Sequence, residues 1–331
     1  MKRREFIGLV GGAAAWPIAT RAQQDTRVRL VAFLSAGSKS NTAAQLQAVF
    51  VDTLLQLGWK DGQNIRIDER WADNDADRLP ALAKELVSLK PDVIFAPMTQ
   101  VVAAFQRETK DIPSVFVFVA DPVASGFVAS HSRPGGNITG FYNYDRTVLG
   151  KYVELLKEIT PGLTSITVMF NPANIVAAPD AVIDVYSRAA KYHAVDLISA
   201  AVRDDADIER VISDLGNKPT NGLIVQPDTL FARPRTLDLI TSLAIRHGVP
   251  AIYSFRFYVA AGGLISYGSD LNVQVQQAAS YVDRLLRGAT PLELPVQAPT
   301  KYELIINLKT ARAMKLALSP ALLGRADEMI E

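Results

Sequence analysis

The 331-residue sequence contains no cysteine. That absence removes disulfides, thiolate nucleophiles and Cys-ligated metals, and with them a lipid-modified cysteine at a processing site. Histidine is scarce: His131, His193 and His247 stand far apart, without the HxxxH-type spacing of a metal site. No sign of charge dominates either. Thirty-five Lys and Arg against 34 Asp and Glu give a net charge of +1. With the two signs interspersed, a footprint for nucleic acid or anionic lipid is missing. Beyond residue 22 no apolar run approaches the length of a membrane span.

What is present first is an export address. "MKRREFIGLVGGAAAWPIATRAQQ" sets Lys2, Arg3 and Arg4 before a small and apolar run, with Thr20 and Ala22 placed for a cut after Ala22. That is the layout of a cleaved secretory leader, 1–22, and too weakly hydrophobic for a spanning helix. Arg3-Arg4-Glu5-Phe6-Ile7 also fits the twin-arginine variant, read by a receptor for proteins that fold before crossing. A soluble periplasmic protein without a lipid anchor is expected.

The remaining chain alternates strand and helix patterns. A buried strand over 28–34 leads to a helix over 42–57. "NIRIDERWA" alternates as a strand, and Leu79, Leu82, Ala83, Leu86 and Leu89 recur at helical spacing within 77–89. "PDVIFAP" and "PSVFVFV" have the near-continuous apolar character of parallel strands covered on both faces. "NITGFY" closes this group, and after a helix over 147–159 the pattern restarts. "SITVMFNP", "AVDLISAAV", "NGLIVQPD", "PAIYSF" and "GGLISYG" follow as strands with helices between them. The order predicts an α/β protein of two doubly wound parallel-sheet lobes.

In such sheets ligands bind beyond the carboxyl ends of the strands. The residues just past the first group of strands are Ser35, Thr99 and Gln100, Asp121 and Asn143; past the second they are Asn171, Gln226 and Asp228, Ser254 and Tyr267. Helix capping competes with ligand contact at each Ser, Asn and Asp, and Asp121, before Pro122, has the capping pattern in particular. Capping does not account for the aromatic residues among them: Phe141, Tyr142, Tyr144, Tyr253, Phe255 and Tyr267. An apolar cleft with a few convergent polar groups is the usual small-molecule site. Smaller motifs carry less. "RPGGN" (Arg133 to Asn137) precedes a strand rather than a helix, so turn chemistry explains it better than phosphate binding. Asp73, Asp75 and Asp77 lack the glycine and distal glutamate of a calcium loop. Trp71 ends a strand, where packing is at least as good an account as a place beside the cleft. No GxSxG elbow is present, and no histidine stands past a strand to complete a triad, which argues against a hydrolase.

Four stretches carry a resemblance: "LGWKDGQNIRIDERWADNDADRLPALAKELVSLKPDVIFAP", "ADPVASGFVASHSRPGGNITGF", "PAIYSFRFYVAAGGLISYGSDL" and "PTKYELIINLKTARAMKL". From about Arg27 onward the chain resembles the ABC-transporter substrate-binding proteins of the tryptophan-binding (TrpX-like) type. That resemblance implies a type I periplasmic-binding fold, with a ligand held between two lobes joined by three crossings. On that template the N-lobe takes 27–142 plus 271–288 and the C-lobe 143–268 plus 296–331. The crossings then fall near 141–143, 267–270 and 291–296, and hinge closure is the expected mechanism. The implied function is delivery of a small molecule to an inner-membrane ABC permease, by a protein expected to be a monomer without a cofactor. Amino acids, aromatic ones among them, or related carboxylates are the implied ligands, with sugars as the rival class. For an amino acid, Ser35 and Thr99 with nearby backbone N–H groups suit the carboxylate, Asp121 and Asp228 the ammonium, and Tyr142, Tyr253 and Tyr267 a ring. The other candidate contacts are Gln100, Asn143, Asn171 and Gln226. A sensor subunit reporting to a membrane receptor would use the same closure chemistry; a secreted α/β enzyme is the more distant alternative.

Overall fold

A computed structural model describes residues 27–39, 41–143, 146–172, 179–217 and 220–331. The leader and Tyr144 lie outside the described residues.

The first half of the chain builds β1 (Arg29–Ser35), α1 (Asn41–Gln56), β2 (Ile65–Trp71), α2 (Leu79–Ser88), β3 (Val93–Pro97), α3 (Thr99–Glu108), β4 (Ser114–Val119) and β5 (Ile138–Tyr142). The strands form a parallel sheet in the order β2-β1-β3-β4-β5. Both faces are covered, as the apolar runs require. Ala32, Leu34, Ile94, Ala96 and Phe116 pack on one side with Leu79, Ala83, Leu86 and Phe105 of α2 and α3. Val31, Phe33, Val93, Phe95, Val115 and Val117 pack on the other with Phe50 and Leu54 of α1. The period of two in the strands thus feeds two cores at once.

The second half repeats the plan with α4 (Arg146–Ile159), β6 (Ser165–Phe170), α5 (Pro179–Tyr192), β7 (Asp196–Ala201), α6 (Asp205–Gly216), β8 (Asn221–Val225), α7 (Pro234–Arg246), β9 (Ala251–Tyr253), α8 (Arg256–Ala260) and β10 (Ile265–Ser269). The long helix α9 (Leu271–Leu286) then returns to the first sheet. Its Val275, Ala278, Ala279 and Val282 complete the core that α1 begins. Finally β11 (Tyr302–Asn307) and β12 (Glu328–Ile330) extend the second sheet, whose order is β12-β11-β10-β9-β8-β6-β7. Every pairing found in this sheet is parallel except β10 with β11.

The chain therefore passes between sheets after β5 and again at Asp270, where the Asp270 carboxylate caps α9 through the Asn272 N–H at 2.7 Å. The third passage corrects the expected 291–296. Val296 is buried in the first lobe's core, and Leu294 in the other half of that core. Gln297 pairs with β5, its N–H donating to the Gly140 carbonyl at 3.0 Å and its carbonyl accepting from Tyr142 at 3.1 Å. These contacts hold 294–297 on the first sheet, so the passage lies at 298–301. Two of the passages are tied together. Gln274 Nε2 donates to Ser269 Oγ at 2.6 Å, and Ser269 Oγ donates to the Asn143 carbonyl at 3.3 Å.

Candidate functional site

In the first sheet β1 and β3 are neighbours whose onward connections leave in opposite directions; in the second sheet β6 and β8 stand in the same relation. Each is a switch point, the place where an open α/β sheet leaves a crevice at its carboxyl edge. Ser35 ends β1 and Thr99 follows β3, while Asn171 and Gln226 follow β6 and β8, and all four line one cavity of about 270 Å³ between the lobes. Of the eleven candidate residues, eight line it: Ser35, Thr99, Gln100, Asp121, Asn143, Asn171, Gln226 and Asp228.

The polar groups are held by short local bonds. Ser35 Oγ accepts from the Gly37 N–H at 3.2 Å, which leaves its own proton available to donate. Met98 precedes α3 and supplies no side-chain cap, so the first N–H groups of that helix open beside Thr99 and Gln100. Asp121 Oδ1 accepts from the Ala124 N–H at 2.9 Å and thereby closes a turn, the capping role its position before Pro122 suggested. Asp228 does the same for its own loop, accepting from the Leu230 N–H at 2.7 Å, and also takes Asn171 Nδ2 at 3.2 Å. Gln226 is 8% exposed and donates to the Tyr186 hydroxyl. Asn143 is 7% exposed, and its Oδ1 has no hydrogen-bond partner.

The three tyrosines expected to offer ring faces are elsewhere. Tyr142 stacks on His131 at 4.8 Å between ring centres and packs against the first lobe's core. Tyr267 stacks on Tyr302 at 5.8 Å. Tyr253 is fully buried beneath the second sheet and stacked on Tyr258 at 4.8 Å. The reason is alternation: a strand's last residues point by turns to either face, and these three point into packing. The rings that line the cavity are Phe33, Phe95, Phe118 and Phe170 from strands, with Phe255 and Phe257 from the loop and helix after β9. The signal that finds them is strand parity, because Phe33 and Phe95 share the face on which α1 and α9 pack. Trp71 packs on Phe33 at 5.5 Å, on the edge strand β2.

Tyr258 also lines the cavity, its hydroxyl buried without a hydrogen-bond partner. Burial, and after it the charge of Asp228, push that hydroxyl's ionisation well above the usual tyrosine range. It stays neutral at any physiological pH. At the mouth, Arg233 Nη2 donates to the Asn74 carbonyl at 3.2 Å, one lobe to the other. Arg203 and Arg233 both border a second cavity there, of about 180 Å³. Among the described residues no cluster of His, Asp and Glu is placed to hold a metal ion.

Residues 28–330 match the family model for ABC transporter substrate binding proteins. The chain belongs to this family. As a substrate-binding protein it is a binding module rather than an enzyme. A tyrosine-binding protein from Clostridioides difficile (strain R20291) is 30% identical over 273 residues, 81% of this chain and 75% of that protein. Among solved structures, a conserved domain protein from Vibrio cholerae O1 biovar El Tor is 26% identical, with a TM-score of 0.84 over 92% of this chain and all of the other. A Streptococcus pneumoniae domain in complex with L-Trp is 22% identical, with a TM-score of 0.83 over 91% of this chain and 99% of that one. A ligand-free, open substrate-binding protein with adhesive properties from Clostridium difficile is 25% identical, with a TM-score of 0.69 over 92% and 99%. Among the described residues no helix is long and apolar enough to cross a membrane.

Proposed function

We propose that this substrate-binding protein captures an amino acid, aromatic ones foremost, between its lobes and delivers it from the periplasm to an ABC importer's permease as a monomer. The observation that carries the reading is the cavity itself. Polar groups from both switch points converge on it, and between them lie phenylalanine walls. A zwitterion with a ring fits that division. Ser35, Thr99 and the first N–H groups of α3 receive the carboxylate, since a helix start favours an anion. Asp228 receives the ammonium from the opposite lobe, with Asp121 as the second acceptor. Gln100, Asn143, Asn171 and Gln226 supply the remaining polar contacts. The ring lies against phenylalanine.

One ligand touching both lobes favours the closed arrangement by the contacts it makes only there. Two further observations support closure. Arg233 bonds Asn74 across the mouth, and the chain superposes better on the tryptophan-bound relative than on the open, ligand-free one. The relatives named for tyrosine and tryptophan favour aromatic amino acids over sugars. The leader supports a periplasmic location, by the twin-arginine route.

A thermal-shift screen of the chain from residue 23 onward tests this reading. A ligand that binds only the folded state raises the melting temperature by mass action. L-tryptophan, L-tyrosine or L-phenylalanine should give the largest shifts; shifts with sugars and none with amino acids would reject the reading.

A further inference from the structure

Two strand ends on the first lobe's side of the cavity carry backbone that side chains rarely tolerate. Met98, just after β3, has φ 75°, and Phe118, inside β4, has φ 60°. A bulky residue in the left-handed region is a genuine outlier. The two are neighbours, because the Met98 N–H donates to the Val117 carbonyl at 2.8 Å. Both line the cavity.

Phe118 owes its place to a bulge. The β4–β5 register pairs Phe116 with Gly140 and then Val119 with Tyr142, so Val117 and Phe118 together face Phe141 alone. The extra residue breaks the alternation of β4. Val115 and Val117 pack on the α1 and α9 side, and Phe118 stays on that same side instead of turning to the other. There it joins Phe33 and Phe95, and it is the one residue of β4 that is not buried. Gly140 makes the bulge possible. A Cβ on it would lie 2.1 Å from the Phe116 carbonyl oxygen, and its φ is 150°. Backbone strain persists where the surrounding structure over-determines it, and such sites cluster at ligand clamps.

We propose that Phe118 is the platform on which the ligand's ring lies, and that it sets the preference for aromatic over aliphatic amino acids. This rests on the amino-acid reading above and adds to it the residue that selects the side chain. A phenyl face attracts a planar ring beyond the area it covers. An aliphatic side chain gains only the area.

The test is calorimetric titration of wild type and Phe118→Leu with L-tryptophan and L-leucine. In wild type L-tryptophan should bind more tightly. In Phe118→Leu its affinity should fall about three- to tenfold while that of L-leucine holds or rises, collapsing the ratio. Equal losses for both ligands, or no loss for L-tryptophan, overturn the platform while leaving the amino-acid reading intact. Failure of wild type to bind L-tryptophan or any other amino acid removes that reading and the platform with it. Gly140→Ala supplies a second check, since Gly140 does not line the cavity. By displacing the bulge it should lower the same ratio in folded protein, and an unchanged ratio there contradicts the proposal.

Discussion

Arg233 and Asn74 lie 159 residues apart in sequence, and the hydrogen bond between the Arg233 guanidinium and the Asn74 carbonyl joins the two lobes at the mouth of the cavity. Asn74 is held for this contact. Its φ is 63°, and its N–H donates to the Ala36 carbonyl at 2.9 Å, beside the end of β1. In the proposed hinge closure this bond would form only with the lobes close together.

Arg233→Ala should therefore weaken ligand binding without weakening the fold. An exposed charged hydrogen bond contributes about 0.5–1 kcal/mol, which is about a two- to fivefold loss of affinity. The loss should appear mainly as faster dissociation in stopped-flow measurements. Melting of the empty protein should barely move.

Asp228 separates charge from capping. Asp228→Asn keeps an oxygen to accept from the Leu230 N–H, now bonded at 2.7 Å, and removes the negative charge. A charge-assisted hydrogen bond to the ammonium is worth about 1.5–3 kcal/mol, so affinity should fall about ten- to a hundredfold with stability nearly unchanged. Asp228→Ala should lose stability as well. Calorimetry and melting of both variants decide the matter; unchanged affinity in Asp228→Asn would remove it from the site.

The fold was legible because its signals are local. The apolar runs "VIFA" and "SVFVFV" are strands β3 and β4, and Leu79, Ala83 and Leu86 are the buried stripe of α2, whose end leaves Leu89 exposed. The polar lining of the cavity was legible for the same reason, since residues after parallel strands face the crevice wherever the sheet switches direction. The aromatic half was not. Whether Tyr253 or Phe95 reaches the cavity depends on which face strand parity gives it, and at Phe118 on a bulge that reverses it. That bulge depends on Gly140, a residue of the neighbouring strand. The third passage was misplaced because Val296 and Gln297 follow a proline-rich stretch, and nothing in that stretch records which sheet they pair with.

Acid should loosen the loop beside the cavity. Burial alone would raise the Glu69 carboxyl, but the hydrogen bond and charge of Lys39, with Gln47, outweigh it and hold it below the usual glutamate range. Lys39 Nζ lies 2.6 Å from Glu69 on a side chain 60% exposed, so the pair contributes at most about 1 kcal/mol. A lowered carboxyl stabilises the fold above its unfolded pKa and loses that contribution as pH falls through the folded value. Glu69→Gln should melt slightly below wild type at neutral pH; the difference should begin to shrink as pH falls past the ordinary glutamate range and vanish only below the lowered folded-state value. A difference that persisted in acid would mean that the pair's charge is not what stabilises the loop.

Export offers an independent prediction. Replacing Arg3 and Arg4 together by lysine should leave precursor in the cytoplasm if the twin-arginine route is used. Fractionation and immunoblotting read the outcome. Normal periplasmic arrival of the doubly substituted protein would reject that route and leave general secretion.

The proposed function requires one amino acid to be held by both lobes at once. A crystal structure of the chain grown with the amino acid that gives the largest thermal shift tests it most directly. Density should lie in the cavity, with the carboxylate at Ser35 and Thr99, the ammonium at Asp228 and the ring on Phe118. Ligand bound elsewhere on the surface, or touching one lobe only, would contradict it.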